Sequence, residues 1–302
     1  IHLTYEGGLY MKTLGRVLTA MITPFHADGS VDFDGAVALA NHLLDNGSDG
    51  IVVCGTTGES PTIANEDKLT LFRRIVDACG DKGSIIANTG SNDTLRSVEF
   101  TKQAAATGVD AVMAVVPYYN KPNQKGLYAH FKAIAEATTL PIIVYNVPGR
   151  TGGKIIPATI EQLHRDFPNI AAVKEASGDV NVASEIYRRI PTDFMIYSGD
   201  DGLTLPILAV GGCGIISVAA HVVGKDLNEM IQAFERGEVT KAREIHARLL
   251  PIFDAMFVTT NPIPVKYAVR RLGLPAGPFH LPMCEPSEEE AAVIDAALKM
   301  IK

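Results

Sequence analysis

Residues 50–80 read GIVVCGTTGESPTIANEDKLTLFRRIVDACG, and this stretch decides the fold. Gly50–Cys54 is an apolar, largely β-branched run with no polar alternation, as a strand covered on both faces requires. A turn of glycines and hydroxyls follows at Gly55–Ser60. From Glu66 the apolar residues fall at helical spacing until Gly80, placed where a left-handed glycine cap would end the helix. Strand, turn, helix and cap make one βα unit.

The same unit recurs on both sides of it. Strand-like runs occupy Val17–Ile22, Ser84–Asn88, Ala111–Val116, Pro141–Asn146, Ile170–Glu175, Phe194–Gly199 and Gly214–Val218. Helical patterns lie between most of them, and Gly47 and Gly108 stand at two more cap positions. Eight such units predict an α/β fold, a closed (β/α)8 TIM barrel of roughly 250 residues. An open doubly wound sheet would want a glycine-rich dinucleotide turn after its first strand, and residues 23–30, TPFHADGS, are no such turn. The expected organisation is a leader or added segment at 1–11, the barrel at 12–224, and a helical region at 225–302 packed on the barrel. Ser287, followed by three glutamates, predicts a well-capped start to the last helix.

Composition narrows the function classes. The chain has 302 residues and a net charge of −7 with a pI near 5.6. That balance argues against nucleic acid or an anionic membrane as partner. Residues 202–220 carry no charge, but Pro206 and the run Gly211–Gly214 interrupt any spanning helix. Cys54, Cys79, Cys213 and Cys284 are scattered without metal-type spacing, which predicts reduced thiols in a cytoplasmic protein. The eight histidines form no HxxxH pair, so no metal site is expected.

In a barrel of this kind the chemistry sits at the C-terminal strand ends. Lys174 leaves an apolar strand there. Desolvation favours the neutral amine that a Schiff-base nucleophile uses, although a structural pair with Glu175 or Asp200 reads equally from the residues. The GTTGES turn offers hydroxyls and backbone N–H groups for a carboxylate, or is a plain βα loop. Tyr119 and Tyr145 are strand-end phenols, suited to proton relay or to packing. Arg150 is placed to fork onto a carboxylate, or to lie solvated on the surface.

Six motifs in order, GTTGES, VVPYYNKP, YNVPGRTG, VKEASGD, YSGDD and GIISVAAHV, resemble the pyruvate-dependent class I aldolase/lyase family, and within it the dihydrodipicolinate synthases. The resemblance covers about residues 12–300. It implies condensation of pyruvate with L-aspartate 4-semialdehyde on the route to diaminopimelate and lysine, with Lys174 forming the Schiff base. It further implies that Thr56 and Thr57 hold the pyruvate carboxylate and that Thr57 hydrogen-bonds Tyr145, the proton relay. Tyr119 would complete the relay from a neighbouring subunit of a homotetramer, a dimer of dimers. Arg150 would bind the carboxylate of the second substrate, with the carbonyls of Gly199 and Ile216 lining the pocket and no cofactor needed.

Sister aldolases acting on N-acetylneuraminate or 2-keto-3-deoxygluconate share the lysine and tyrosine, but Thr56 and the Pro148–Thr151 turn favour the synthase. The resemblance also implies an allosteric lysine site at Ser60, Asn65, Lys68, Asn92, Arg96 and Tyr118. Lysine-inhibited members usually carry histidine at the position of Lys68 and glutamate at that of Arg96. Two cations there repel an ammonium ligand, so weak or absent feedback is expected.

Overall fold

The computed structural model describes residues 14–190 and 194–301; the expected leader at 1–11 lies outside the described residues. The first half of the barrel runs β1 (Val17–Ala20), α1 (Phe33–Asp45), β2 (Gly50–Val53), α2 (Asn65–Cys79), β3 (Ser84–Asn88), α3 (Thr94–Ala105), β4 (Ala111–Val115) and α4 (Gln124–Ala135). The second half follows with β5 (Ile142–Asn146), the short α5 (Pro148–Thr151), α6 (Pro157–Asp166), β6 (Ile170–Glu175), α7 (Val180–Arg189), β7 (Met195–Ser198), α8 (Thr204–Ala209) and β8 (Gly214–Ser217). The strands pair in parallel in sequence order, and β8 returns to β1, so the sheet closes into the expected (β/α)8 barrel.

Two apolar layers explain why the strands show no polar alternation. Leu18, Val52, Ile86, Met113, Ile143, Ala172 and Ile216 fill the barrel interior. Val17, Ile51, Ile85, Val112, Val144 and Val173 point outward and pack under the helices. Several helices open on a short side chain that can accept a backbone N–H: Asp32 caps α1, Asp93 α3, Asn123 α4 and Asp179 α7.

The glycine caps divide. Gly47 and Gly108 take positive φ, +103° and +88°, as a left-handed cap demands. Gly80 does not: its φ is −66°, in the right-handed region, because α2 continues into it through a 2.9 Å bond from its N–H to the Val76 carbonyl. Glycine is still required there, since a Cβ would stand 2.7 Å from that carbonyl oxygen.

Beyond β8 come α9 (Ala220–Glu235), α10 (Val239–Ala255), α11 (Ile263–Arg271) and α12 (Glu288–Met300). α9 begins earlier than its amphipathic pattern predicts and kinks at Val223. It lies along β1 and α1, and α10 lies along α9. Ser287 and Glu290 form a reciprocal capping box on α12. The segment between α10 and α11 reaches back to the C-terminal rim of the barrel, where it meets the β2 loop. Among the described residues no helix is long and apolar enough to cross a membrane.

Candidate active site

Lys174 is the fifth residue of β6, on the face that continues the barrel interior from Ala172. It is 5% exposed, and register places it beside Tyr145 of β5 and Tyr197 of β7. Its Nζ stands 4.4 Å from the centroid of the Tyr145 ring. Neither carboxylate named as an alternative partner is paired with it. Glu175 points to the other face, where it accepts from Asn146 Nδ2 at 2.8 Å and from the Ser177 N–H at 2.7 Å, while burial pushes its carboxyl up. Asp200 accepts from the Gly202 N–H at 2.9 Å. Among the described residues Lys174 therefore has no ion pair, and its amine faces an open cleft lined by Thr56, Thr57, Tyr145, Arg150 and Gly199.

The two threonines follow β2 in a tight turn closed by the Gly58 N–H on the Gly55 carbonyl and the Glu59 N–H on the Thr56 carbonyl. Thr57 is buried, and its Oγ1 accepts from Asn261 Nδ2 at 3.0 Å. The hydrogen bond with Tyr145 that the resemblance implied is not formed; among the described residues the Tyr145 hydroxyl makes no hydrogen bond. The turn is anchored from below by Glu59, whose carboxylate accepts from Lys266 Nζ of α11 at 2.6 Å and from the His280 N–H at 2.9 Å. Both side chains of the ion pair are buried. Burial pushes the Lys266 ammonium down and Glu59 opposes that.

Arg150 sits in α5 at the mouth, its Nη2 donating to the Asn261 carbonyl at 3.0 Å. Ile216 is fully buried in the barrel interior beneath the cleft, not in its lining. Above it Asp201 accepts from the Ser217 hydroxyl and from the N–H groups of Val218 and Ala219, which fixes Val218 in the cleft wall. Tyr119 is not in the cleft. It is 88% exposed, with φ +73°, a left-handed conformation rare for an aromatic residue.

Of the allosteric positions, Ser60 opens a short 3-10 turn and Asn65 opens α2. Lys68 is half-buried with its Nζ 5.6 Å from the Phe100 ring centroid, and burial pushes its pKa down. Arg96 is exposed and 3.5 Å from Asp93. Asn92 accepts at its carbonyl from Asn120 Nδ2, and Tyr118, two residues before Asn120, is exposed. Among the described residues no group of histidine, cysteine or acidic side chains is arranged to hold a metal ion.

Asn261, Phe257 and Val218 line the cleft and escaped the sequence reading. Two of them come from the loop between α10 and α11, which no strand-end rule covers. Asn261 stands before Pro262, a position biased away from helix, and that is the one signal available in the sequence.

A buried, unpaired strand-end lysine beside a tyrosine, facing hydroxyls and an arginine at the C-terminal rim of a (β/α)8 barrel, defines a lyase of the class I aldolase type. The chain belongs to the dihydrodipicolinate synthetase family, whose model matches residues 13–301. It is 57% identical over 285 residues to the 4-hydroxy-tetrahydrodipicolinate synthase of Moorella thermoacetica, covering 94% of this chain and 97% of that one. Among solved structures, a dihydrodipicolinate synthase from Bacillus anthracis is 48% identical with a TM-score of 0.93, covering 96% of this chain and 99% of that one. The enzyme from Cyanidioschyzon merolae with lysine bound is 45% identical with a TM-score of 0.94, covering 95% and 98%.

Proposed function

We propose that this chain condenses pyruvate with L-aspartate 4-semialdehyde through a Schiff base on Lys174. The observation that carries the reading is the Lys174 amine, buried against Tyr145 without a carboxylate partner, at the foot of an open cleft. A free amine there attacks the pyruvate carbonyl and expels water; loss of a methyl proton then gives the enamine that adds to the aldehyde carbon. Thr56 and Thr57 hold the pyruvate carboxylate, Tyr145 moves the proton at the reacting carbon, and Arg150 receives the carboxylate of the second substrate. Gly199 in the cleft wall turns its carbonyl toward the Schiff base, and Ile216 floors the cleft beneath it. The relatives' names favour this condensation over the sister aldolases.

The active assembly is a homotetramer in which Tyr119 reaches a neighbouring subunit's cleft. Its support is Tyr119, held left-handed in a tight turn that leaves its phenol almost wholly exposed at the surface. Four unbridged cysteines accord with a cytoplasmic setting. Lysine feedback is weak or absent, because Lys68 and Arg96 present cations where the ammonium of the ligand would lie.

The test is pyruvate consumption with L-aspartate 4-semialdehyde as co-substrate. Turnover that vanishes in Lys174→Ala is expected; absence of turnover in the unmodified protein overturns the reading. The same assay with added lysine should show no half-inhibition at submillimolar concentration, and a curve that does so refutes the absence of feedback.

A further inference from the structure

Asn261 touches both anion-holding points of the cleft. Its Nδ2 donates to Thr57 Oγ1 at 3.0 Å, and its carbonyl accepts from Arg150 Nη2 at 3.0 Å. The residue is 6% exposed, and its Oδ1 is buried without a hydrogen-bond partner among the described residues. An orphaned buried acceptor costs stability, and such groups call for an explanation. Stability alone does not supply one here, since a small apolar residue would avoid that cost.

The direction of the bond to Thr57 supplies it. A threonine hydroxyl has one proton to give and two lone pairs to accept with. Because Asn261 donates, it occupies a lone pair of Oγ1 and leaves the Thr57 proton unspent. Thr57 makes no other hydrogen bond among the described residues, and it lines the cleft beside Tyr145 and Lys174. The proton is thereby available to the pyruvate carboxylate that Thr57 is proposed to hold. An acceptor in the place of Nδ2 would withdraw it, because the hydroxyl would have to donate to that acceptor.

We propose that Asn261 is a positioning residue of this site: its amide fixes the donor direction of the Thr57 hydroxyl, and its main-chain carbonyl anchors Arg150. The loop between α10 and α11 thus sets the geometry of both substrates' anion holders from outside the barrel. The inference rests on the Schiff-base condensation proposed above and adds to it the group that aims Thr57.

Two variants of opposite character separate this role from a structural one. Asn261→Asp keeps the shape and keeps a hydrogen bond to Thr57, but reverses its direction. Asn261→Leu removes the bond and frees the hydroxyl. Steady-state kinetics, borohydride trapping of pyruvate on Lys174 and thermal midpoints are measured for both, and for each combined with Thr57→Val.

The expected result is that Asn261→Asp loses about 100-fold in kcat/KM for pyruvate, the scale of a lost hydrogen bond to a charged group, and still traps pyruvate when its concentration is raised. Asn261→Leu loses less, and neither change lowers kcat/KM further once Thr57 is valine. A structural role predicts the reverse order, with Asp the milder change, losses that follow the thermal midpoint, and losses that multiply with Thr57→Val. Those results overturn the inference. Absence of turnover in the unmodified protein would instead overturn the condensation reading, so the two failures are distinct.

Discussion

Glu59 holds a left-handed conformation, φ 54°, in the turn that presents Thr56 and Thr57. A non-glycine residue there costs of order 1 kcal/mol or more and persists only where its surroundings over-determine it. Here the surroundings are the buried Lys266 ammonium and the main-chain N–H of His280, a residue whose ring is stacked 3.7 Å from Phe25. The pair looks in sequence like two unrelated charges 207 positions apart, which is why it was not legible. Glu59→Gln leaves Lys266 buried without its counter-charge and should destabilise the protein by about 3–5 kcal/mol. The midpoint of urea unfolding measures this. Adding Lys266→Met should restore much of the loss, because the stranded charge goes with it. A Glu59→Gln variant as stable as the unmodified protein would show that the pair does not hold the turn.

At the scale of elements, what was legible followed from local chemistry. Ser84–Asn88 and Ile170–Glu175 coincide with their apolar runs because both faces of each strand are covered. The short α5 was not legible, since four residues opening on a proline carry no periodicity. Nor was the start of α9, where Ala220–Val223 turns to bring His221 against the Ile22 N–H, just past β1, before the amphipathic part begins.

Thr56, Thr57, Tyr145, Arg150, Lys174 and Gly199 were legible because the barrel gathers strand ends, whereas Asn261 arrives from a loop more than 40 residues past the last strand. Gly47 shows a glycine that sequence and structure read alike. Its φ is +103°, and a Cβ would lie 2.6 Å from the Gly224 backbone, where the end of α1 meets α9. Gly47→Ala should therefore cost on the order of 2 kcal/mol or more, read as a fall in thermal midpoint. An unchanged midpoint would mean that the α1–α9 contact yields freely.

For the whole molecule, buried histidines set a pH dependence. His221 accepts the Ile22 N–H at Nε2 and donates from Nδ1 to the Val218 carbonyl, joining β1 to the rim after β8. Burial pushes it down to about 4 from an ordinary 6.5, and His130 likewise to about 4. Between those values the unfolded chain binds the proton and the folded chain does not. Stability from each histidine is thus complete above 6.5 and is lost as pH falls toward 4, on the order of 3 kcal/mol for His221. Glu175 and Asp201, whose carboxyls burial pushes up, act in the opposite sense as pH falls. The His221 contribution is isolated by comparison: thermal midpoints between pH 4 and 6.5 should fall less steeply in His221→Gln. Equal slopes would contradict the assignment.

The central claim is that the Lys174 amine is the nucleophile, and covalent trapping tests it most directly. The protein is incubated with pyruvate and borohydride, digested, and its peptides are weighed. A reduced pyruvate adduct on the peptide carrying Lys174, absent from Lys174→Ala, is the predicted result. No adduct, or an adduct on another lysine that survives in Lys174→Ala, would contradict it.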